Sequence, residues 1–344
     1  MCVKHLLNTL YITSEDVYLS LDGENVVAQL ADGTAKPFPL HNFESIVSFS
    51  YKGASPSLMG KCVENNISIS FYSPSGRFLA QVGNDTNGNV LLRRSQFRFA
   101  DSDKRVLAAR NMIVGKLYNA KYVLLRCARD HAIQADAERL RAAADTIGRY
   151  MQDASSAQSL DSLRGMEGNA AAEYFGVFNE MILRDKTAFA FSVRSRRPPL
   201  DRVNALLSFA YSLLTSMCAG ALRGVGLDPY VGFMHTDRAG RKSLALDMVE
   251  ELRAVYADRF VLTLINNRII SADDFDIQSN GAVLLSDTAR KNFISEWQKR
   301  KKELLVHPFL NEQIPWGLVP HIQAQLLSRY LRGDLDEYPP FMWK

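Results

Sequence analysis

Cysteine is scarce in this chain of 344 residues, and the four that occur stand far apart: Cys2, Cys62, Cys127 and Cys218, with no CxxC pair. That spacing excludes a zinc ribbon and a disulfide framework, and it suits a reducing cytoplasm. There is no glycine-rich phosphate loop, so nucleotide-driven chemistry is not expected. There is no GxSxG elbow either, and no other nucleophile motif. The opening MCVKHLLNTLYIT lacks the apolar core of a signal peptide. A strong charge of one sign is missing as well: 41 basic residues face 37 acidic ones, a net +4. That balance is too mild to establish nucleic-acid binding. The one long uncharged run, Val203 to Leu222, carries Asn204, Ser208, Ser212, Thr215 and Ser216. It therefore reads as a buried central helix rather than a membrane span. A soluble, cytoplasmic protein without membrane contact is expected.

What is present divides in two. Over the first 82 residues, alternating segments such as DVYLSL and NVVAQL are separated by Asp22-Gly23, and Asp32-Gly33 closes another hairpin. A strand near Ile46–Phe49 leads to a short helix opened by Ser55 and Pro56, an N-cap and first-turn pair. Residues 67–72, the turn SPSG and residues 77–82 form a last hairpin, and the polar GNDTNGN (83–89) reads as a loop. From about Asp101 the hydrophobic period changes from 2 to 3.6. Helices are predicted at 102–130, 131–152, 166–185, 201–223, 243–258, 287–304 and 318–332, with a hairpin at 275–285 around an Asn-Gly turn. The tail GDLDEYPPFMWK cannot continue a helix. The fold class is α+β: an N-terminal β-sandwich-like domain (1–90), then a larger all-α helical domain (91–344).

The candidate chemistry begins at Glu167. In MEGNAAAEYFGVFNEMILR (166–184), Ala170, Ala171, Tyr174, Phe178, Met181 and Ile182 form one stripe at about 100° per residue, and Glu167 falls within it. Asn169, Glu173 and Glu180 take the opposite face. An inward carboxylate needs a metal, a cation or a proton, because burying it bare costs several kcal/mol or more. Further on, His235 lies on a loop, and Asp247 and Glu250 stand one helical turn apart. One imidazole with three carboxylates is a donor set for Mg²⁺ or Mn²⁺ rather than structural zinc. Simpler accounts compete: Glu167 near a helix start or paired with a buried Arg, a solvated DxxEE face, a structural histidine. Arginines cluster at Arg93, Arg94 and Arg98, and at Arg194, Arg196, Arg197 and Arg202, while Lys299–Lys302 reads KRKK. Such clusters neutralise phosphates, so a metal held beside them points to phosphodiester cleavage or transfer.

Four segments in series, GMEGNAAAEYF (165–175), RRPPLDRVNALLSFAY (196–211), GLDPYVGFMH (226–235) and SLALDMVEELR (243–253), resemble the CRISPR adaptation integrase, the universal CRISPR-associated endonuclease of spacer acquisition. The opening LLNTLYITSEDVYLSLDGENVV and ASPSLMGKC resemble its subtype I-C branch. The resemblance covers nearly the whole chain. It implies metal ligands at Glu167, His235 and Glu250, with Asp247 also lining the site. It implies a Mg²⁺- or Mn²⁺-dependent integrase, in which the 3′-hydroxyl of a foreign DNA fragment attacks a phosphodiester at a repeat boundary of the CRISPR array. It also implies a homodimer built through the β domains, and a heterohexamer in which a small ferredoxin-like partner bridges two dimers. Two family prolines are replaced, by Glu251 and Ala254. Asn204 and Tyr211 are expected to support the site or simply to pack. Arg194, Arg196 and Arg197 are the candidate DNA-binding group, unless Asp201 and Glu180 hold them. A general metal-dependent nuclease acting on DNA or RNA and a catalytically silent DNA-binding scaffold are the rival functions.

Overall fold

The computed structural model describes residues 8–12, 14–72, 78–83 and 90–344. The turn SPSG and most of GNDTNGN lie outside them. The chain forms two compact units: residues up to Asn87 together with Leu285–Glu296, and Gly88–Leu284 together with Trp297–Lys344.

In the first unit, β1 (Asn8–Ile12) is followed by β2 (Tyr18–Asp22), β3 (Asn25–Gln29) and β4 (Ala35–Pro39). The latter three make an antiparallel meander through the two expected turns, where Gly23 and Gly33 adopt φ of 56° and 82°. Only glycine takes that left-handed backbone without strain. The second sheet runs β1-β5-β6-β7, with β5 at Phe43–Ser48, β6 at Ser68–Tyr72 and β7 at Phe78–Val82. Its β1–β5 and β5–β6 pairs are parallel, a pairing that alternation alone did not indicate. Parallel pairing needs a crossover. Helix α1 (Pro56–Glu64), capped by Ser55 Oγ accepting from Leu58 N, supplies the one between β5 and β6. Leu19, Val26 and Ala28 of one sheet, Ile12, Ile46 and Ile69 of the other, and Leu58 and Cys62 of α1 form one buried core.

The second unit is mainly helical. It contains α2 (Val90–Ala100), α3 (Arg105–Asp130), α4 (Ala137–Ser155), α5 (Leu160–Gly176), α6 (Arg202–Gly224), α7 (Ser243–Leu252) and α8 (Arg259–Asn266). A π-helical turn at Arg253–Asp258 links α7 to α8 and carries Ala254. The predicted hairpin forms between β8 (Phe275–Ile277) and β9 (Val283–Leu285). It is followed in the chain by α9 (Asp287–Lys302), whose residues up to Glu296 belong to the first unit, then by a short pair β10 (Leu304–Val306) and β11 (Gln313–Pro315), and α10 (Val319–Arg332). The helix expected at 166–185 starts earlier, because Ser159 caps it at Ser162 N, and ends at Gly176 before a 3₁₀ turn (Phe178–Met181). Helix α6 is long and apolar enough to cross a membrane by length and composition. It packs on α7 and α10 with Val203, Leu206, Leu207, Ala210, Leu214 and Leu222 buried.

The C-terminal tail docks. Tyr338 and Phe341 are buried, and both hold Glu251, itself fully buried: Tyr338 Oη donates to Oε1 (2.5 Å) and Phe341 N to Oε2 (2.8 Å). Asn119 of α3 donates to the carbonyls of both Glu251 and Phe341 (2.6 Å each). Gln323 donates to Glu251 Oε1 (3.0 Å) and accepts from buried His307 Nε2 (3.1 Å), whose Nδ1 accepts from Leu310 N. The residue replacing a family proline is thus the anchor of the tail.

Burial pushes His307 down to about 4 from 6.5. The folded state then takes up its proton later than the unfolded chain, so this contribution is complete above pH 6.5 and lost as pH falls to 4. Glu251, pushed up to about 7 by burial, acts in the opposite sense between pH 4.5 and 7. Comparison with His307→Gln separates the two. In urea unfolding the wild type should lose about 3 kcal/mol more than the variant between pH 7.5 and 4. Parallel pH curves would show that the ring bears no such load.

Candidate active site

Helix α7 has no solvated face. Asp247, Glu250 and Glu251 are 1%, 5% and 0% exposed, alongside buried Leu244, Met248 and Leu252. A surface DxxEE motif is therefore not what the chain presents. Three carboxylates on one buried turn require three separate compensations, and each has its own. Glu251 holds the tail.

Asp247 holds the His235 loop. Its Oδ2 accepts from Phe233 N (2.7 Å) and Met234 N (3.1 Å), and its Oδ1 from His235 N (3.0 Å). The same Oδ1 lies 2.5 Å from His235 Nδ1. That oxygen already accepts from the loop amide, and it accepts from the ring too, so Nδ1 carries a hydrogen and Nε2 is directed away from Asp247. No partner occupies Nε2 among the described residues. The loop wraps the carboxylate so closely that a Cβ on Gly232 would stand 2.7 Å from Ser243 Cβ and 3.0 Å from Asp247 Oδ2. Arg164 of α5 ties down the far side, donating to Met234 O (2.7 Å). Asp247 orients the imidazole from behind, as a carboxylate does for a metal-binding histidine.

Glu250 meets Glu167 through a third residue. Lys116 of α3 places its ammonium 2.6 Å from Glu250 Oε2 and donates a very short hydrogen bond to Glu167 Oε1. Its side chain is 9% exposed, against 6% for Glu250 and 24% for Glu167. Glu167 is the eighth residue of α5, away from the first turn. The helix dipole therefore does not account for it, whereas an internal cation does. The other Glu250 oxygen accepts from Arg253 Nη2 (2.6 Å). Burial pushes Glu250 up, but Arg253 and Lys116 more than offset it and hold the group at about 2. Glu250 is ionised throughout the physiological range. Arg253 lies over the ring of Tyr211 (4.8 Å), which Arg194 also faces (5.2 Å). Tyr211 Oη donates to Asp258 (2.6 Å), whose carboxyl burial pushes up to about 6.

Among the described residues no three His, Cys, Asp or Glu side chains stand close enough to hold a metal ion between them. The donors nonetheless fit one. Two glutamates converge on a single ammonium, and Glu250 Oε2, although beside it, accepts no aligned hydrogen bond from it. The pair is thus ready to exchange one positive charge for another. Glu167, Glu250 and His235 would hold a divalent ion there, and Asp247, fully engaged with the loop, would not be a ligand.

The sequence missed Lys116, although the signal was the same as for Glu167. It is the one charge on an apolar α3 stripe with Ala109, Met112, Ile113, Leu117 and Ala120. Of the other candidates, Arg194 turns inward to Asn204 Oδ1 (2.6 Å) and Ser208 Oγ (3.1 Å), whereas Arg196 and Arg197 are exposed. Neither expected acid holds them: Asp201 caps α6, and Glu180 pairs with Arg139 and Lys186. Asn204, fully buried, fixes the 193–195 segment through Ser195 N and Val193 O.

A family model described as CRISPR associated protein Cas1 matches residues 10–299. A relative from Rhodospirillum rubrum, named CRISPR-associated endonuclease Cas1 2, is 50% identical over 347 residues, covering 99% of this chain and 100% of its own. Among solved structures, a casposase bound to integration product superposes with a TM-score of 0.82 at 21% identity, covering 98% of this chain and 94% of that one. A Cas6-RT-Cas1--Cas2 complex gives 0.82 at 22% identity, covering 100% of this chain and 37% of that one. At those identities the two structures establish a shared fold.

Lys116→Gln separates a lysine that merely packs from one that holds a cation position. Without metal, the variant should be roughly 3 kcal/mol less stable to urea, because Glu250 keeps Arg253 while Glu167 is left uncompensated. It should also bind Mn²⁺ about tenfold or more tightly than the wild type by titration calorimetry, since the competing charge is gone. Equal Mn²⁺ affinity in the two proteins would refute the competition.

Proposed function

The chain belongs to the Cas1 family of CRISPR-associated proteins, and from that premise we propose that it is a metal-dependent integrase joining DNA fragments into a CRISPR array as new spacers. The 3′-oxygen of the fragment attacks a phosphorus at a repeat boundary. The bond from that phosphorus to the 3′-oxygen of the array strand breaks, the attacking hydroxyl gives up its proton to solvent, and the departing oxygen takes one up. The observation that carries this reading is the convergence of Glu167 and Glu250 on one internal cation beside His235, whose Nε2 is unpaired.

Glu167, His235 and Glu250 would hold Mg²⁺ or Mn²⁺, which when bound supplies Lewis-acid stabilisation of charge on the reacting oxygens. The chain's own residues do the rest. Asp247 holds the imidazole by Nδ1, which leaves Nε2 directed away from it. Arg253 and Lys116 keep Glu250 anionic. With such an ion bound, Lys116 would stand beside the glutamates as a counter-charge for phosphate. The nearest supports are the relatives named endonucleases and the casposase held on its integration product. The assembly we propose is a homodimer built through the β units, with two dimers bridged by a small ferredoxin-like partner protein. The solved Cas6-RT-Cas1--Cas2 complex supports a protein partner.

Glu250→Gln is the test. Incubated with a fragment bearing 3′-hydroxyl ends and a supercoiled plasmid carrying a repeat, the wild type should yield joined products in the presence of Mn²⁺. The variant should yield at least about 100-fold less while retaining fragment affinity, since the loss falls on the transition state. Nicked plasmid without joined product would favour a general nuclease. Full joining by the variant would remove Glu250 from the site.

A further inference from the structure

A small cavity of about 20 Å³ adjoins the cation position, bounded by α3, α5 and the π-helical turn that follows α7. Lys116, which bridges the two glutamates, forms part of its wall. Ala120, Ala170 and Ala254 line it with small apolar groups, and Tyr174, Arg253 and Asp258 bring polar ones. Tyr174 stands seven residues past Glu167, on the same face of α5. Arg253 and Asp258 are the two ends of the π-helical turn, whose wider winding brings residues five apart to one side.

Three polar atoms of these residues are buried without a hydrogen-bond partner among the described residues: Tyr174 Oη, Arg253 Nε and Asp258 Oδ2. Tyr174 and Asp258 are 4% and 1% exposed. Buried polar atoms are seldom left so, and three around one cavity point to a shared partner. The atoms beside them are engaged. Asp258 Oδ1 accepts from Tyr211 Oη (2.6 Å), and Arg253 Nη2 donates to Glu250 Oε1 (2.6 Å). Tyr174 and Asp258 stand near each other without an aligned hydrogen bond. Burial, and then the Asp258 charge, hold the Tyr174 phenol well above its usual range, so the hydroxyl keeps its proton.

We propose that the cavity binds a single water, which accepts from Tyr174 Oη and Arg253 Nε and donates to Asp258 Oδ2, and that Tyr174 and Asp258 thereby act as positioning residues for Glu250. A water needs roughly 10–15 Å³ and about three hydrogen bonds, and two donors with one acceptor supply what it requires. A chloride would suit the donors but face the Asp258 carboxyl, and a cation would face Arg253. Positioning runs through that arginine. Its Nη2 lies on Glu250, its guanidinium lies over the Tyr211 ring (4.8 Å), and the water takes Nε. Asp258 thus holds Arg253 twice, through the water and through the tyrosine whose hydroxyl it accepts. An arginine fixed on all three sides keeps Glu250 Oε1 tied down and Oε2 at the cation position. The proposal rests on the reading of Glu250 as a metal ligand.

The test uses the full chain. In metal-free crystals that show ordered water, one peak should lie within hydrogen-bond reach of Tyr174 Oη, Arg253 Nε and Asp258 Oδ2. A dry cavity, or the tyrosine and the carboxyl bonded directly, would overturn the proposal. Tyr174→Phe removes one hydroxyl and keeps the ring that packs on Phe175 and Phe178 (centroids 5.3 and 5.8 Å). In titration calorimetry it should bind Mn²⁺ about fivefold more weakly, the worth of one hydrogen bond. Asp258→Asn should cost about tenfold or more, as loss of an outer partner does. In crystals of either variant the Arg253 guanidinium should no longer hold a single place on Glu250. Leu117→Ala enlarges the same cavity without touching a polar atom, so it should melt lower yet keep the wild-type Mn²⁺ affinity. Equal Mn²⁺ affinity in the wild type, Tyr174→Phe and Asp258→Asn would overturn the positioning role, and so would an equal loss in Leu117→Ala. A wild type that bound no Mn²⁺ would sink the metal reading, while the water peak and the place of Arg253 would still decide this one.

Discussion

Lys116 is the charge on which the second unit is organised. Its ammonium lies between Glu167 of α5 and Glu250 of α7 and is itself carried by α3, so one nitrogen joins three helices. Without it, the buried Glu250 and the half-buried Glu167 would repel each other, which favours proton uptake. With it, and with Arg253 on the other side, Glu250 is pinned as an anion inside the protein. A buried pair of this kind adds little net stability over an apolar contact, but removing one partner is expensive. Such an arrangement is better understood as holding a cation position open to exchange than as a structural staple.

The rest of the site fixes the His235 imidazole. Asp247 is spent on the 233–235 loop, Gly232 lets that loop close over it, and Arg164 ties the loop back to α5. Consecutive acids on α7 thus do unlike work. Asp247 orients, Glu250 faces the cation, and Glu251 anchors a tail that crosses from α10 to α3 through Tyr338, Phe341 and Asn119. Any slackening of that tail would be felt one residue from Glu250.

Much of this was legible in the sequence because periodicity marks charges that fall on the wrong face. Glu167 stood out on the apolar stripe of its helix, and the turns at Gly23 and Gly33 fixed the antiparallel meander. The parallel pairing of β1, β5 and β6 was hidden, since alternation reports which face is buried and not which way a neighbour runs. Helix α2 was hidden because QFRFA alternates like a strand, and only Gln96 bonding to the 228–231 segment reveals its inner face. The acids of α7 could not be sorted by spacing: Asp247 and Glu250 share a face on a helical wheel, and the partners that separate them, a loop backbone and a lysine 134 residues earlier, are tertiary. Lys116 carried the same signal as Glu167 and was passed over because a long aliphatic stem makes a lysine on an apolar stripe unremarkable.

The central claim is that one position, now filled by an ammonium, is built to take a divalent ion. Anomalous scattering from crystals soaked in Mn²⁺ tests it directly. The account predicts a single strong peak roughly 2.0–2.3 Å from carboxylate oxygens of Glu167 and Glu250 and from His235 Nε2, with Lys116 Nζ moved off both glutamates and Asp247 still on the loop amides. No peak at saturating Mn²⁺ with Lys116 still bridging the two glutamates, or a peak elsewhere in the unit, would contradict it.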